Sequence, residues 1–314
     1  NCGQYRLVVA HREPNIQIRL HLIFEAVLPN PNPSAGIAAC RPVAQFWSNL
    51  SQVDSMNERR ARIEQFFFEG LPGFAPVIDP PNFANAGGVR TLQQSIDSAA
   101  RNRFYQFRLV KDCVYDDCML RFAPDVLENM PFGLLFDSRN TSAQAREFRA
   151  EFVKHVPTLA VNDLNLFFMN IPKKYLMAES NPIASTNAFI YSGAFDESKA
   201  TVEGAAFSAQ IQAELDRVGS PLTPDHIIER ATHQSCFGCH GFNGAVPLGG
   251  GLRLEVSPVH FGNQFVSDDV FADGEAGPQT RYAVDPIIEK QFVPHRMKIV
   301  QDFLRDGTPP VHSN

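Results

Sequence analysis

Cys236-Phe237-Gly238-Cys239-His240 places two thiols two residues apart and sets an imidazole directly after the second. That spacing is the attachment pattern for a c-type haem. Each thiol adds across one vinyl group of the porphyrin, and the imidazole then presents a ring nitrogen to the iron. With six cysteines and nine histidines among 314 residues, a shuffled chain would carry this pentapeptide only about 0.3% of the time. It is therefore read as a site. The expectation is one covalent haem c, with Cys236 and Cys239 as anchors and His240 as the proximal ligand.

Rival uses of the same residues are weaker. A zinc centre would need a second ligand pair with matching spacing, and none follows. A thioredoxin-like pair belongs at a strand-to-helix turn, whereas here a helical pattern runs into the motif. There is no Gly-x-Ser-x-Gly, phosphate-cradling loop or His-Glu-x-x-His elsewhere in the chain.

The net charge of −6 is mild and no long run of like charges occurs, so neither nucleic acid nor an anionic membrane surface is indicated as a partner. No apolar stretch reaches the length of a transmembrane helix. Twenty-six phenylalanines against six tyrosines and one tryptophan imply dense aromatic packing, with some rings available to line a haem crevice. If the motif carries haem, Cys2, Cys40, Cys113 and Cys118 remain, an even set suited to two disulfides. Cys113 and Cys118 flank the turn between two strand-like runs, where a hairpin would bring them within bridging reach; Cys2 with Cys40 follows by elimination. Disulfides and covalent haem are both completed outside the cytosol. A periplasmic or extracellular location is thus expected, for a mature chain whose leader has been removed. Cys2 raises the question of a lipid anchor, which a cysteine at residue 1 would satisfy better.

Strands are expected at Tyr5–Val9, Ile16–Phe24, Phe104–Val110 and Met119–Phe122 from their alternation. Helices are expected after Asp54 or Ser55 through Phe68, from Ser142 with Ala145, Phe148 and Phe152 on one face, and over Thr201–Val218. Residues 71–90 read as a loop. Gly219-Ser220-Pro221 marks a boundary, dividing an α+β domain (1–219), with docking or structural roles, from a small mostly α-helical module (220–314). Thr223-Pro224-Asp225 is a helix start with a capping hydroxyl, a first-position proline and an early acid. The motif then sits at the end of an amphipathic helix bearing Ile227, Ile228, Ala231, Thr232 and Ser235.

A helix ending in this motif resembles the opening of a class I c-type cytochrome, over the C-terminal third only. The resemblance implies that a segment such as Gly244-Ala245-Val246-Pro247-Leu248 offers a carbonyl to the proximal histidine, orienting it. It also implies a last helix, matched by Pro294–Arg305, packing across the first. Gly249-Gly250-Gly251 is outside the family pattern and reads as a turn or as a close approach to the porphyrin edge. For the sixth iron ligand the candidates are His295, Met297 and His260. His295 and Met297 point about 200° apart on one helix, so only one can face the iron. Arg253, Arg281 and Arg296 are candidates for the haem propionates. As a whole the chain is similar to exported bacterial proteins with one C-terminal haem motif.

The expected function is one-electron transfer to or from a redox partner protein, with the first domain recognising that partner or joining a surface assembly. A monohaem enzyme with an open iron site, peroxidase- or oxygenase-like, is the alternative. A surface interaction protein with a Cys236–Cys239 disulfide is the third.

Overall fold

The structure is a computed structural model that describes residues 1–12, 18–83, 87–95, 103–114, 117–180, 191–235, 247–253, 261–268, 279–284 and 288–307. The fold is mixed α+β, with an antiparallel sheet in the first half and helices thereafter.

Five strands form the sheet in chain order: β1 (Gln4–Arg12), β2 (Ile18–Val27), β3 (Gly88–Ser95), β4 (Arg103–Val114) and β5 (Asp117–Asp125). A two-residue strand, β6 (Glu179–Ser180), continues along β4 past the end of β5. Cross-strand alternation explains the register: Phe24 lies opposite Val89, which lies opposite Phe107, so one sheet face is apolar. Strand β3 was absent from the sequence reading. Its Val-Arg-Thr-Leu-Gln-Gln-Ser run is largely polar, and it is a strand because β2 and β4 pair with both its edges.

Helices α1 (Arg41–Leu50) and α2 (Met56–Phe68) cover that face. Ser55 caps α2 by accepting the Glu58 N–H, and Gly70 closes it with a left-handed φ of 89°. The core between helices and sheet is aromatic. Tyr5 stacks on Trp47 with centroids 6.0 Å apart, and Phe46 on Phe66 at 4.7 Å. A Cys2–Cys40 disulfide ties the N-terminus to the start of α1, and a Cys113–Cys118 disulfide joins residues directly opposite in the β4–β5 register.

A second core gathers helices α3 (Ala143–Val153), α4 (Val156–Leu159), α5 (Tyr191–Ser198), α6 (Val202–Arg217) and α7 (Pro224–Gln234). Ser142 and Thr201 cap α3 and α6 through the Ala145 and Gly204 N–H groups. Phe136, Phe148, Phe152, Phe195, Phe207 and Tyr191 pack edge to face or stacked. This one apolar cluster runs from Leu135 to Ala231, so it crosses the turn at Gly219 without a break.

In the last third, where a mostly helical module was expected, strands β7 (Phe261–Asp268) and β8 (Gln279–Val284) form an antiparallel pair. A wide turn at Ile288–Phe292 leads into α8 (Val293–Asp306), which Gly307 ends with a φ of 71°. The expected final helix is thus present. Its chief neighbour is α1 rather than the helix preceding the motif, and Arg41 Nη2 donates to the Leu304 carbonyl at 2.6 Å.

The disulfides close loops of very different length, with sequence separations of 38 and 5. Chain-entropy scaling gives about 4 kcal/mol for the longer and about 2 kcal/mol for the shorter. Urea melts are therefore expected to rank the Cys2→Ser/Cys40→Ser pair as clearly more damaging than Cys113→Ser/Cys118→Ser. Burial pushes the Tyr5 hydroxyl up to about 12, against a smaller opposing effect from Trp47. The folded state thus keeps a proton that the unfolded chain starts to lose near the ordinary tyrosine range, so stability is full below about pH 10 and falls between about pH 10 and 12. Tyr5→Phe should flatten that alkaline fall in unfolding midpoints taken against pH.

Candidate functional site

Helix α7 delivers the chain to Cys236. Its start is held by a reciprocal pair: the Thr223 hydroxyl accepts the His226 N–H (3.4 Å), and His226 Nδ1 accepts the Thr223 N–H (3.1 Å). Pro224 and Asp225 complete the turn as the sequence indicated. His226 is part of the cap, and the His233 side chain is 6% exposed, with Nδ1 2.8 Å from the Glu229 carbonyl.

The other end is fixed as firmly. Gln234 accepts the Met169 N–H (2.9 Å) and donates to the Phe167 carbonyl (2.8 Å). Ser235 is buried, and its hydroxyl donates to the Thr232 carbonyl at 2.6 Å. Cys236, Cys239 and His240 follow immediately and lie outside the described residues, as does His260. What bounds their segment is described on both sides.

On the far side, Pro247 and Arg253 pair across a tight turn in which Leu248 N–H donates to Leu252 and Leu252 N–H donates to Gly249. Gly249, Gly250 and Gly251 have φ of 73°, 60° and 80°, one turn of left-handed backbone. A Cβ on Gly249 would lie 2.6 Å from Leu222 and 2.7 Å from the His226 ring; one on Gly250 would lie 2.2 Å from Asn162 Oδ1. Gly249 and Gly250 are therefore close approaches of backbone to this chain's own side chains, Leu222 and His226 for the first and Asn162 for the second, whereas a Cβ on Gly251 would meet open space.

Arg230 explains why the approach is so close. It is fully buried, and its guanidinium donates to the carbonyls of Leu248 (2.7 Å), Leu159 (2.8 Å), Val161 (2.8 Å) and Gly249 (3.3 Å), and to Asn162 Oδ1 (3.0 Å). Asn162 in turn donates to Gly250. Phe167 lies 5.5 Å beneath the guanidinium carbon. No carboxylate pairs with Arg230 among the described residues, and burial pushes its pKa down to about 10, so it stays charged at neutral pH. Sequence reasoning passed over Arg230. The available signal was a cation inside the Ile227-Ile228…Ala231 apolar stripe.

The remaining candidates divide. Leu248 packs with Leu164, Phe167, Leu252, Ile288 and Phe292, so the start of α8 meets the glycine turn. One helical turn beyond Phe292, His295 Nε2 is buried with no hydrogen-bond partner among the described residues. Burial opposes the charge of the Asp163 carboxylate, but hydrogen bonds from Asn165, with a smaller electrostatic contribution from the direction of His295, outweigh it and hold its pKa below the usual range. Met297 is half-buried on the same helix, about 200° away. Arg253 and Arg296 are exposed, and Arg281 falls within β8. Among the described residues no three His, Cys, Asp or Glu side chains gather into a metal-holding group, and no helix is long and apolar enough to cross a membrane.

No protein-family model, curated protein or solved structure matches this chain.

Truncating Arg230 strands several carbonyls at once, each costing about 1–3 kcal/mol when left unpaired in the interior. Arg230→Met should lower unfolding free energy by about 3–4 kcal/mol. Arg230→Lys should recover less than half of the loss, since one ammonium has three donors and no fork to span the three segments. Chemical denaturation of the three proteins checks both expectations.

Proposed function

We propose that this chain is an exported monohaem c-type cytochrome that carries single electrons, and that residues 1–219 recognise its redox partner or seat it in a surface assembly. The observation that carries this is the pentapeptide Cys236-Phe237-Gly238-Cys239-His240, with both thiols and the imidazole in the order that covalent haem attachment requires. When bound, a haem c supplies a one-electron iron(III)/iron(II) couple.

The protein's own residues have separable tasks. Cys236 and Cys239 would anchor the porphyrin, and His240 would ligate the iron. Their segment leaves a helix whose last turn is fixed by Gln234 and Ser235, and rejoins the described chain at Pro247, beside the carbonyls held by Arg230. Both ends are thereby anchored to one core, which limits rearrangement when the iron changes charge. As a further iron ligand His295 is better supported than Met297. A buried imidazole nitrogen without a partner is costly unless something binds it. Met297 has an ordinary packing role open to it. The two disulfides suit an oxidising compartment.

Intact-mass analysis after expression with haem-maturation machinery should show polypeptide plus one haem, and Cys236→Ala/Cys239→Ala should abolish the addition; polypeptide alone would reject the proposal. The oxidised spectrum should be low-spin and resist cyanide. His295→Ala should make it high-spin and cyanide-binding, while Met297→Leu should leave it unchanged. Rapid cyanide binding by the unaltered protein would instead favour an enzyme with an open iron site.

A further inference from the structure

We propose that the free edge of β5 pairs antiparallel with β5 of a second copy of this chain, about a two-fold axis at Met119. Strand β5 ends the sheet, and among the described residues nothing pairs with its outer side. From Asp117 to Phe122 every residue is exposed, so this end of β5 stands clear of the core on both faces. Met119 is 67%, Leu120 51% and Phe122 55% exposed. Long edge strands normally carry a lysine, proline or bulge that prevents strand addition. The one proline of β5, Pro124, lies near its end; over 117–122 it has neither lysine nor proline, and its register against β4 is unbroken from Gln106↔Asp125 to Val114↔Asp117. The Cys113–Cys118 disulfide holds the hairpin in that register, so little order remains to be gained on pairing.

Charge selects the partner and the register. An antiparallel pairing centred on Met119 sets Asp117 opposite Arg121 of the second copy, and Arg121 opposite its Asp117. Cys118 then faces Leu120 in both directions. Shifting the centre to Leu120 sets Asp117 against Ala123 and loses both charge pairs. Because opposite residues share a sheet face, Leu120 and Phe122 lie together, and the two copies join those side chains into one apolar strip. Arg121 already has Asp112 beside it within its own hairpin. Both groups are about half exposed, so that contact leaves the guanidinium able to meet a second carboxylate. The interface is isologous and closes at two copies.

Sedimentation analysis of the full chain over a concentration series tests this. The unaltered protein should dimerise. Asp117→Arg or Arg121→Asp alone sets like charges opposite each other twice and should weaken the dimer at least about tenfold. The combined exchange restores complementarity and should recover it. Met119→Lys, which brings two ammonium groups together at the axis, should also give monomer. These positions are exposed, so unchanged unfolding midpoints will show that the variants fold. The proposal is overturned if the unaltered protein stays monomeric at its solubility limit, whether or not it then binds lipid vesicles or another protein. Dimers indifferent to either single exchange, or a double exchange that remains monomeric, overturn it equally.

Discussion

A buried positive charge with no carboxylate paired to it among the described residues is the constraint around which the second half of the molecule is arranged. Arg230 lies at 0% exposure, where an uncompensated guanidinium would be untenable. Its fork is solvated by backbone instead: carbonyls of Leu159, Val161, Leu248 and Gly249, with the Asn162 amide oxygen. Those acceptors come from two segments far apart in sequence, and Arg230 itself from a third. None can withdraw without leaving both a buried donor and a buried acceptor unpaired. Arg149 repeats the device at the other end of the same core, donating to the carbonyls of Leu135, Asp137 and Asn140. Loops that would otherwise carry unsatisfied carbonyls into the interior are thus held against helices by planar, multi-donor cations.

The glycine turn follows from that hub. To bring the Leu248 and Gly249 carbonyls to Arg230, the backbone must run against Leu222, His226 and Asn162 in a left-handed conformation, and both requirements exclude a side chain. The same turn supports Leu248, whose apolar neighbours include Phe292 at the head of α8. A single arrangement therefore fixes the exit of α7, the rejoining of the chain at Pro247 and the position of His295. At its opposite end α8 is bound to α1 through Arg41, so the C-terminal helix links the motif's surroundings to the disulfide-closed N-terminal sheet.

Local chemistry was legible in advance. Ser55, Ser142, Thr201 and Thr223 each cap the helix their position indicated, because a capping hydroxyl acts within three residues of itself. The Cys113–Cys118 bridge was legible for the same reason, lying across a hairpin's final pairs. Strand β3 was not, since its polar sequence acquires strand geometry only from β2 and β4 on either side. Helix α1 escaped notice because it begins directly after Cys40, whose position is set by the distant Cys2. The β7–β8 pair was not anticipated within a mostly helical last third, because it forms by pairing between residues 261–268 and 279–284 that no helical spacing signals.

The amino-acid order by itself determined the one pentapeptide with a dictated chemistry, the helix that leads into it, the cysteine pairing and the mixed α+β class, all from interactions between residues close in the chain or from simple counting. Tertiary structure decided what surrounds the motif. Arg230, Asn162, Phe167 and Gln234 become neighbours only through folding, and an arginine's burial depends on whether remote carbonyls arrive to receive it. His295 was one of three ligand candidates in the sequence; the burial of its Nε2, with no hydrogen-bond partner among the described residues, is a property of packing, which no spacing rule encodes.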